Sequence, residues 1–404
     1  MNSVDALKAW RAALGFAPTG NPVGNLTLGK VRVAEVAGLG AVVEARFASG
    51  ALGVAECEKL ASAFKVAAAT RQPLFLWLDS AGAKVSEGLP ALGAFRRMYA
   101  AALAAAAAGA PVTVACGTNC FGGASMLAAL AGTRLFSANT RYAMSGPAIL
   151  AQSAGLSSVD EMFQAMAGAA IGMEGRTKIG GANARFDAAR LVPAPRADLE
   201  TRHAALKSRL EAANRLPKHA APEPIRRQEL DKLYAGGYEA AQSGALITGH
   251  GQREGTRVRI VGWLQGGAMG AADAWRLADA IQQAPLPAGE ELHVLIDCAA
   301  HAATLEDERV LLSEYMAHLG ACLHAHAARG TATRTLVFGK LGGGVYVALT
   351  AAAKEVILLY GAEIQLLPGQ AIASILGEEG AAGFSVADYL KAGVAEAELK
   401  LGLV

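Results

Sequence analysis

Short unbroken apolar runs alternate along this chain with longer stretches of small residues at helical spacing. PLFLWLD (73–79) is apolar at nearly every position, the pattern of a strand buried on both faces, and SAGAKVSEG follows it. An Ala-rich helix is predicted from about Leu89 to Ala108, and PVTVACG (111–117) reads as the next buried strand. TNCFGGASMLAALAG then sets a glycine pair at the opening of a helix. A third short apolar strand, Thr133–Phe136, precedes RYAMSGPAIL.

The second half repeats this order. LHVLID (292–297) is the strand and CAAHAATLEDE the loop, followed by a helix over roughly Arg309–Ala328. TRTLVFG (333–339) is the next strand, and KLGGGVYVALTAAA again opens a helix with glycines. EVILLYG and AEIQLLPGQAIASIL close the unit. Asp79 precedes Gly122 by 43 residues and Asp297 precedes Gly343 by 46, while Pro147 and Pro368 each follow those glycines by 25. A shared order of strand, loop, helix, strand and glycine-opened helix marks a tandem duplication of one α/β unit. The expected division is an N-terminal lobe over 1–190, a charged Pro-containing linker over 191–228 and a C-terminal lobe over 229–404. Within the linker, Asp198–Leu216 has helical spacing through Leu199, Leu206 and Leu210. PKHAAPEP is expected to be extended.

At 404 residues, 53% hydrophobic and 18% charged, the chain is too apolar for a disordered protein and long enough for two domains. A formal net charge of +2 and 6% aromatic residues give neither the field nor the stacking surface of a nucleic-acid binder. Met98–Thr133 holds no charge, but it is mostly Ala and is broken by Gly109, Pro111, Gly117, Gly122 and Gly123, which fits a buried core rather than a membrane span. The start, MNSVDALKAWRAALGF, carries charges where a secretory signal needs an apolar run. Cys57, Cys116, Cys120, Cys298 and Cys322 form no CxxC pair, so the expected setting is reducing and cytoplasmic. No metal site is expected, since His318, His324 and His326 lack a ligand spacing such as HExxH.

The chemistry rests on backbone N–H groups. Each half offers them in the turn after its first strand and at its glycine-opened helix, where amides lack intrahelical acceptors. Glycine there lets a ligand approach closely. Two such donors facing one oxygen make an oxyanion hole; the same glycines serve phosphate binding or close helix–strand packing, although neither GxxxxGK[ST] nor GxGxxG is present. His301, on the loop after a strand, is placed either to deliver a proton or to cap the loop. Glu87 is a candidate base or a helix-dipole partner, and Cys120 a candidate thiolate. Asp79 and Asp297, at the strand ends, are expected to anchor turn amides.

LDSAGAKVSEGLPALGAFRRMYAAAL, NCFGGASMLAAL and AMSGPAIL together resemble the β subunit of biotin-independent malonate decarboxylase and, more distantly, acyl-CoA carboxyltransferase subunits. LIDCAAHAATLEDERVLLSEYMAHLGACL, GKLGGGVYVALTAAA and IQLLPGQAIASIL are similar to the γ subunit of the same enzyme. The resemblance spans about Ala51–Gly181 and Thr256–Leu376. It implies an α/β fold of two tandem crotonase-like (ClpP/crotonase) lobes of repeated ββα units, fused in one polypeptide. It also implies decarboxylation of a malonyl thioester through an enolate held by backbone N–H groups. Carried over by position, those groups are Ala81, Gly82, Gly122 and Gly123, matched by Gly343 and Gly344, with Ser80, Lys84, Asn119 and Cys120 lining the substrate pocket. The glycine pairs are expected to border a common cleft with His301 near its mouth, within one chain or exchanged in a homodimer. No cofactor is bound covalently; acyl carrier protein or CoA carries the acyl group, with acyltransferase subunits as further partners.

Departures from the family pattern bear on the acyl group. DSGGVRLQE reads DSAGAKVSE here, the Ser-Gly-Gln of the γ-type loop is replaced by Cys298-Ala299-Ala300-His301, and TGGKHR appears as IGGANAR. Carboxyl transfer to or from biotin is the alternative activity, although no biotinyl-lysine motif of the MKM type is present. A non-catalytic crotonase-like scaffold is the third reading.

Overall fold

A computed structural model describes residues 1–33, 35–216, 221–264, 266–284, 286–367, 372 and 399–401. Pro217 of the linker, and Pro368 with the rest of the GQAIASIL stretch apart from Ile372, lie outside the described residues. The chain packs as two units.

The first unit holds Met1–Asp198 and Ala303–Ala317. Its sheet places β1 (Ala17–Pro18), β2 (Leu26–Val33), β3 (Val36–Val43), β4 (Leu74–Ser80), β5 (Val112–Phe121) and β6 (Thr133–Phe136) side by side. The short strand β7 (Arg141–Ala143) pairs with the far end of β5, and β8 (Asn183–Arg185) pairs with β6. Strands β1 to β3 are antiparallel and the rest run parallel. The apolar run of β4 is buried at all but one position, because both faces are covered. On one side Ala6 and Trp10 of the helix Ser3–Ala13, with Leu14 just after it, pack with Phe75, Trp77, Ala115 and Leu135.

The second unit holds Leu199–Ala302 and the chain from His318 through the strands that follow it. Its sheet runs β9 (Glu223–Pro224), β10 (Tyr238–Ser243), β11 (Leu246–Arg253), β12 (Thr256–Leu264), β14 (Glu291–Cys298), β16 (Thr333–Gly342), β17 (Glu355–Leu358) and β19 (Leu399–Leu401). β18 (Glu363–Gln365) pairs with the far end of β16, and β13 (Ala268–Met269) pairs with β15 (Ala300–His301). Antiparallel strands again lead into a parallel array. The two sheets therefore share one topology, down to the short strand added beyond the glycines: two crotonase-like lobes in tandem.

Both parallel arrays interrupt their register at the same point. The β4–β5 ladder shifts between Leu78 and Ser80, and the β14–β16 ladder between Ile296 and Cys298. Asp79 and Asp297 sit in those interruptions. The helix expected over Arg309–Ala328 is two helices, Leu305–Arg309 and Leu312–Ala328, broken where Leu311 takes a positive φ of 65°. The helix expected over Asp198–Leu216 is Leu199–Ala212, burying Leu206 and Leu210. Met98–Thr133 divides among a helix, β5 and a second helix, and among the described residues no helix is long and apolar enough to cross a membrane.

Candidate active site

Asp79 fixes the first unit's turn. Its Oδ1 accepts the Asn119 N–H at 3.0 Å, and the missing side chain of Gly117 makes room, since a Cβ there would stand 2.6 Å from that of Asp79. Burial raises the Asp79 pKa, and amide bonds from Asn119 and Thr118 oppose it. The second unit repeats the anchor: Lys340 N–H donates to Asp297 Oδ1 at 2.9 Å, and a Cβ on Gly339 would stand 2.5 Å from Asp297 Cγ. Both aspartates thus hold turn amides, as their position at strand ends suggested.

Beyond Asp79 the backbone donors sort themselves by what they already hold. Ala81 N–H donates to Ser49 O (2.9 Å), and Gly82 N–H to the buried hydroxyl of Ser80 (3.1 Å). Gly82 O accepts from Leu52 N–H and Lys84 N–H donates to Leu52 O, so Ala83 between them turns its own N–H away from Leu52. That N–H meets no acceptor among the described residues. Gly82 has φ +97°, and a Cβ there would stand 2.9 Å from Phe121 O and 3.4 Å from Gly123 N. Only glycine lets the turn lie this close to the start of the helix Gly123–Ala128. Gly122, at φ +54°, spends its N–H on the carbonyls of Ala143 and Met144 at 3.1 Å each. Gly123 N–H has no acceptor among the described residues.

The structure therefore brings Gly82, Gly122 and Gly123 together, yet leaves open the amides of Gly123 and Ala83. Ala83 was not among the expected donors. The signal for it lies in the bridge to Leu52: when residues on either side of a position bond to one strand neighbour, that position's amide faces the other way.

The side chains assigned to the pocket have partners of their own. Lys84 Nζ donates to Glu87 Oε1 at 2.8 Å, a bond that raises the lysine pKa, and Glu87 Oε2 accepts Val54 N–H at 2.8 Å. Glu87 is thus tied to a lysine and to a helix start. Asn119 Oδ1 accepts from Arg141 Nη2 at 2.8 Å, and the Arg141 guanidinium lies 5.9 Å from the Phe121 ring centroid. Cys120 is fully buried; burial first, then its bond with Cys116, holds the thiol well above its ordinary pKa. Both effects disfavour a thiolate there.

In the second unit Ala299 N–H donates to Gly267 O and Ala302 N–H to Met269 O. His301 therefore occupies the place that Ala83 holds in the first. It lies in β15 rather than on an open loop and is buried, only 9% exposed. A Cβ on Gly343 would stand 3.3 Å from its Nδ1. Gly343 has φ +53°, the counterpart of Gly122, and Gly344 follows it into the helix Gly343–Thr350. His318 bonds to His203 and His326 to Ile281 O, and no group of three or more potential metal ligands forms among the described residues.

Each unit's turn and glycine-opened helix falls within a segment of known type. Residues 37–182 match the carboxyl transferase domain, and residues 264–378 match the malonate decarboxylase gamma subunit. The chain carries both on one polypeptide and is an enzyme of the decarboxylase and carboxyltransferase kind. No curated protein matches its sequence significantly. Among solved structures, it is similar to the transcarboxylase 12S core with methylmalonyl-coenzyme A and methylmalonic acid bound (18% identity over 99% of this chain and 86% of that one, TM-score 0.38). It is also similar to the malonate decarboxylase hetero-dimer of Pseudomonas (25% identity over 38% and 71%, TM-score 0.34) and to the geranyl-CoA carboxylase beta subunit of P. aeruginosa (15% over 100% and 84%, TM-score 0.39).

Proposed function

We propose that this chain decarboxylates a malonyl-type thioester, carried on CoA or acyl carrier protein, to the acetyl thioester. The observation that carries the reading is the approach of Gly82 to Gly123, beside which the Ala83 and Gly123 amides hold no acceptor among the described residues. In the reaction the bond from the α-carbon to the carboxylate breaks. Its electron pair forms the enolate, the negative charge settles on the thioester oxygen, and CO2 leaves. Two fixed N–H donors on that oxygen stabilise the charge as it develops, at about 3–4 kcal/mol for each donor. A proton delivered to the α-carbon by a general acid completes the acetyl thioester.

CoA is favoured as a carrier by the solved relatives described with coenzyme A or methylmalonyl-coenzyme A bound. Hetero-oligomeric relatives favour partner subunits, with a homodimer as the alternative. The match of residues 37–182 to the carboxyl transferase domain supports a second reading, carboxyl transfer to or from biotin on a partner. The test is CO2 release from malonyl-CoA and from malonyl-acyl carrier protein with avidin present. Release that survives avidin supports decarboxylation, and release that needs a biotin carrier supports transfer. With neither, both fail and a scaffold remains.

A further inference from the structure

The segment Ala303–Ala317 packs within the first unit, and it reaches the glycine loop at two points. Glu308 of the helix Leu305–Arg309 is fully buried. Its Oε1 accepts the N–H of Met144 at 2.8 Å and of Ser145 at 3.0 Å, and Arg176 Nη2 donates to its Oε2 at 3.2 Å. Arg176 is itself fully buried and donates through Nε to Tyr142 O at 2.8 Å and through Nη1 to Glu308 O at 2.5 Å. Five residues farther on, Ser313 Oγ donates to Ser125 Oγ at 2.8 Å, inside the helix that Gly123 opens.

Met144 is the hinge of this arrangement. Its N–H is held by Glu308 and its carbonyl accepts the Gly122 N–H. The Gly122 amide fixes the peptide just ahead of Gly123, so the aim of the Gly123 N–H depends on where Met144 stands. Nothing else polar is needed at this spot for packing: Ala143, Leu150, Phe163 and Ala167 already form an apolar cluster with Leu305 against it. A buried ion pair carries a desolvation cost that its Coulomb attraction seldom repays in full, so its value here lies in placement rather than in stability.

We propose that Glu308 is a positioning residue for the reaction. It clamps the Met144–Ser145 turn so that the Gly122–Gly123 peptide presents its donor at the enolate oxygen. The proposal rests on the donor role given to Gly123 above. Glu308 touches no substrate; it acts through Met144 and Gly122. Burial first, with a smaller contribution from Asp307, pushes its carboxyl up to about 7 against the pull of Arg176 and the two amides.

The test uses the full chain with Glu308→Gln and Glu308→Asp. The amide of Gln must turn an NH2 toward either the two backbone N–H groups or Arg176, which breaks the clamp at near-constant size. The Asp keeps the charge beside Arg176 but withdraws it by one methylene. Two readouts are taken: amide hydrogen exchange of the segment containing Gly122, and kcat and KM for CO2 release from malonyl-CoA. The expected result for Gln is exchange at Gly122 faster by at least ~10-fold, with kcat lowered ~10- to 100-fold and KM within twofold. The Asp variant is expected between Gln and wild type on both readouts, and it carries the test if the Gln variant does not fold. Unchanged exchange at Gly122 in the folded variants overturns the clamp, whether or not the chain is active. Faster exchange with kcat unchanged shows instead that the loop does not serve the reaction, and that overturns the donor role of Gly123 with it.

Discussion

Replacing Gly123 by Ala separates the position of the donor from its presence. The N–H remains, but the new Cβ would stand 2.5 Å from Cε1 of Phe95 and 3.0 Å from Cε2. Carbon pairs rest at ~3.5–4.0 Å, so ring and helix must part by about 1 Å. Phe95 is 1% exposed on the helix Gly88–Ala107 and has no free space to turn into, so much of that shift falls on the start of the donor helix. Overpacking of this kind costs ~1–3 kcal/mol of stability. A displacement of about 1 Å at a reacting centre costs ~10²-fold in rate. The expected outcome is therefore kcat lowered ~100-fold with a Tm fall of only a few degrees. Phe95→Leu removes the ring edge that the methyl meets. The double variant should recover kcat at least ~10-fold over Gly123→Ala, a favourable coupling of about 1.4 kcal/mol. Proline at 123 would delete the donor, but it would also carry a Cβ onto Phe95 and so mix two effects. If Gly123→Ala keeps wild-type kcat, or if the two changes prove additive, the geometry assigned to this amide is wrong.

His293, buried against Tyr234, has its pKa pressed down to about 3, chiefly by burial and then by Arg253, with Glu355 opposing. Glu291 lies 3.2 Å from its Nε2 and is also paired with Arg334, but burial outweighs what it offers the imidazolium. A depressed pKa means that the neutral ring is favoured in the fold. Its contribution to stability is complete above pH 6.5 and is lost as pH falls from there toward 3. Between pH 7 and 5, His293→Gln should lose about 2 kcal/mol less than wild type in urea unfolding, and equal losses would refute the assignment. Cys57, Cys120 and Cys298 are buried thiols with pKa values pushed up first by burial. Iodoacetamide at pH 8 should leave them unmodified in the folded chain and label all five cysteines after denaturation; native labelling of Cys120 would contradict its burial.

The parts of the fold that were legible in the sequence are those buried on both faces. LFLWLD and LHVLID announced themselves because a strand covered on each side has no polar alternation to hide it. The antiparallel strands were harder to see, since LTLGKVRV and YEAAQS mix charged, polar and small residues with the apolar ones. The break at Leu311 was not visible either. Nothing in ERVLLSEYM marks a left-handed residue, and the reason for it is tertiary: the stretch before it is held by buried Glu308 and Arg176. At the site, the glycines were legible as places of close approach. Which amides remain open was not, because Ala81 and Gly122 look like donors until Ser49 and Met144 are found to accept from them. His301 was read as a loop residue because a two-residue strand such as β15 leaves no periodicity to detect.

The two units keep their backbone arrangement and let their side chains diverge, and that division decides which part of the function each residue carries. The anchoring aspartate, the glycine that makes room for it and the positive-φ glycine ahead of the helix recur as Asp79, Gly117 and Gly122, then as Asp297, Gly339 and Gly343. An amide donor can come from any residue but proline, so the donor positions tolerate exchange: Ala83 in the first unit stands where His301 stands in the second. The pair at the strand ends changes as well, Asn119 beside Arg141 against Lys340 beside Glu363. Oxyanion stabilisation asks only for oriented N–H groups, and the steric demand of orienting them falls on glycine. Discrimination among acyl groups asks for charge and shape, and on the proposed function that task goes to side chains rather than to these amides. On the proposed function, the reaction class then follows from the glycines, and the acyl substrate from side chains that the glycines do not constrain.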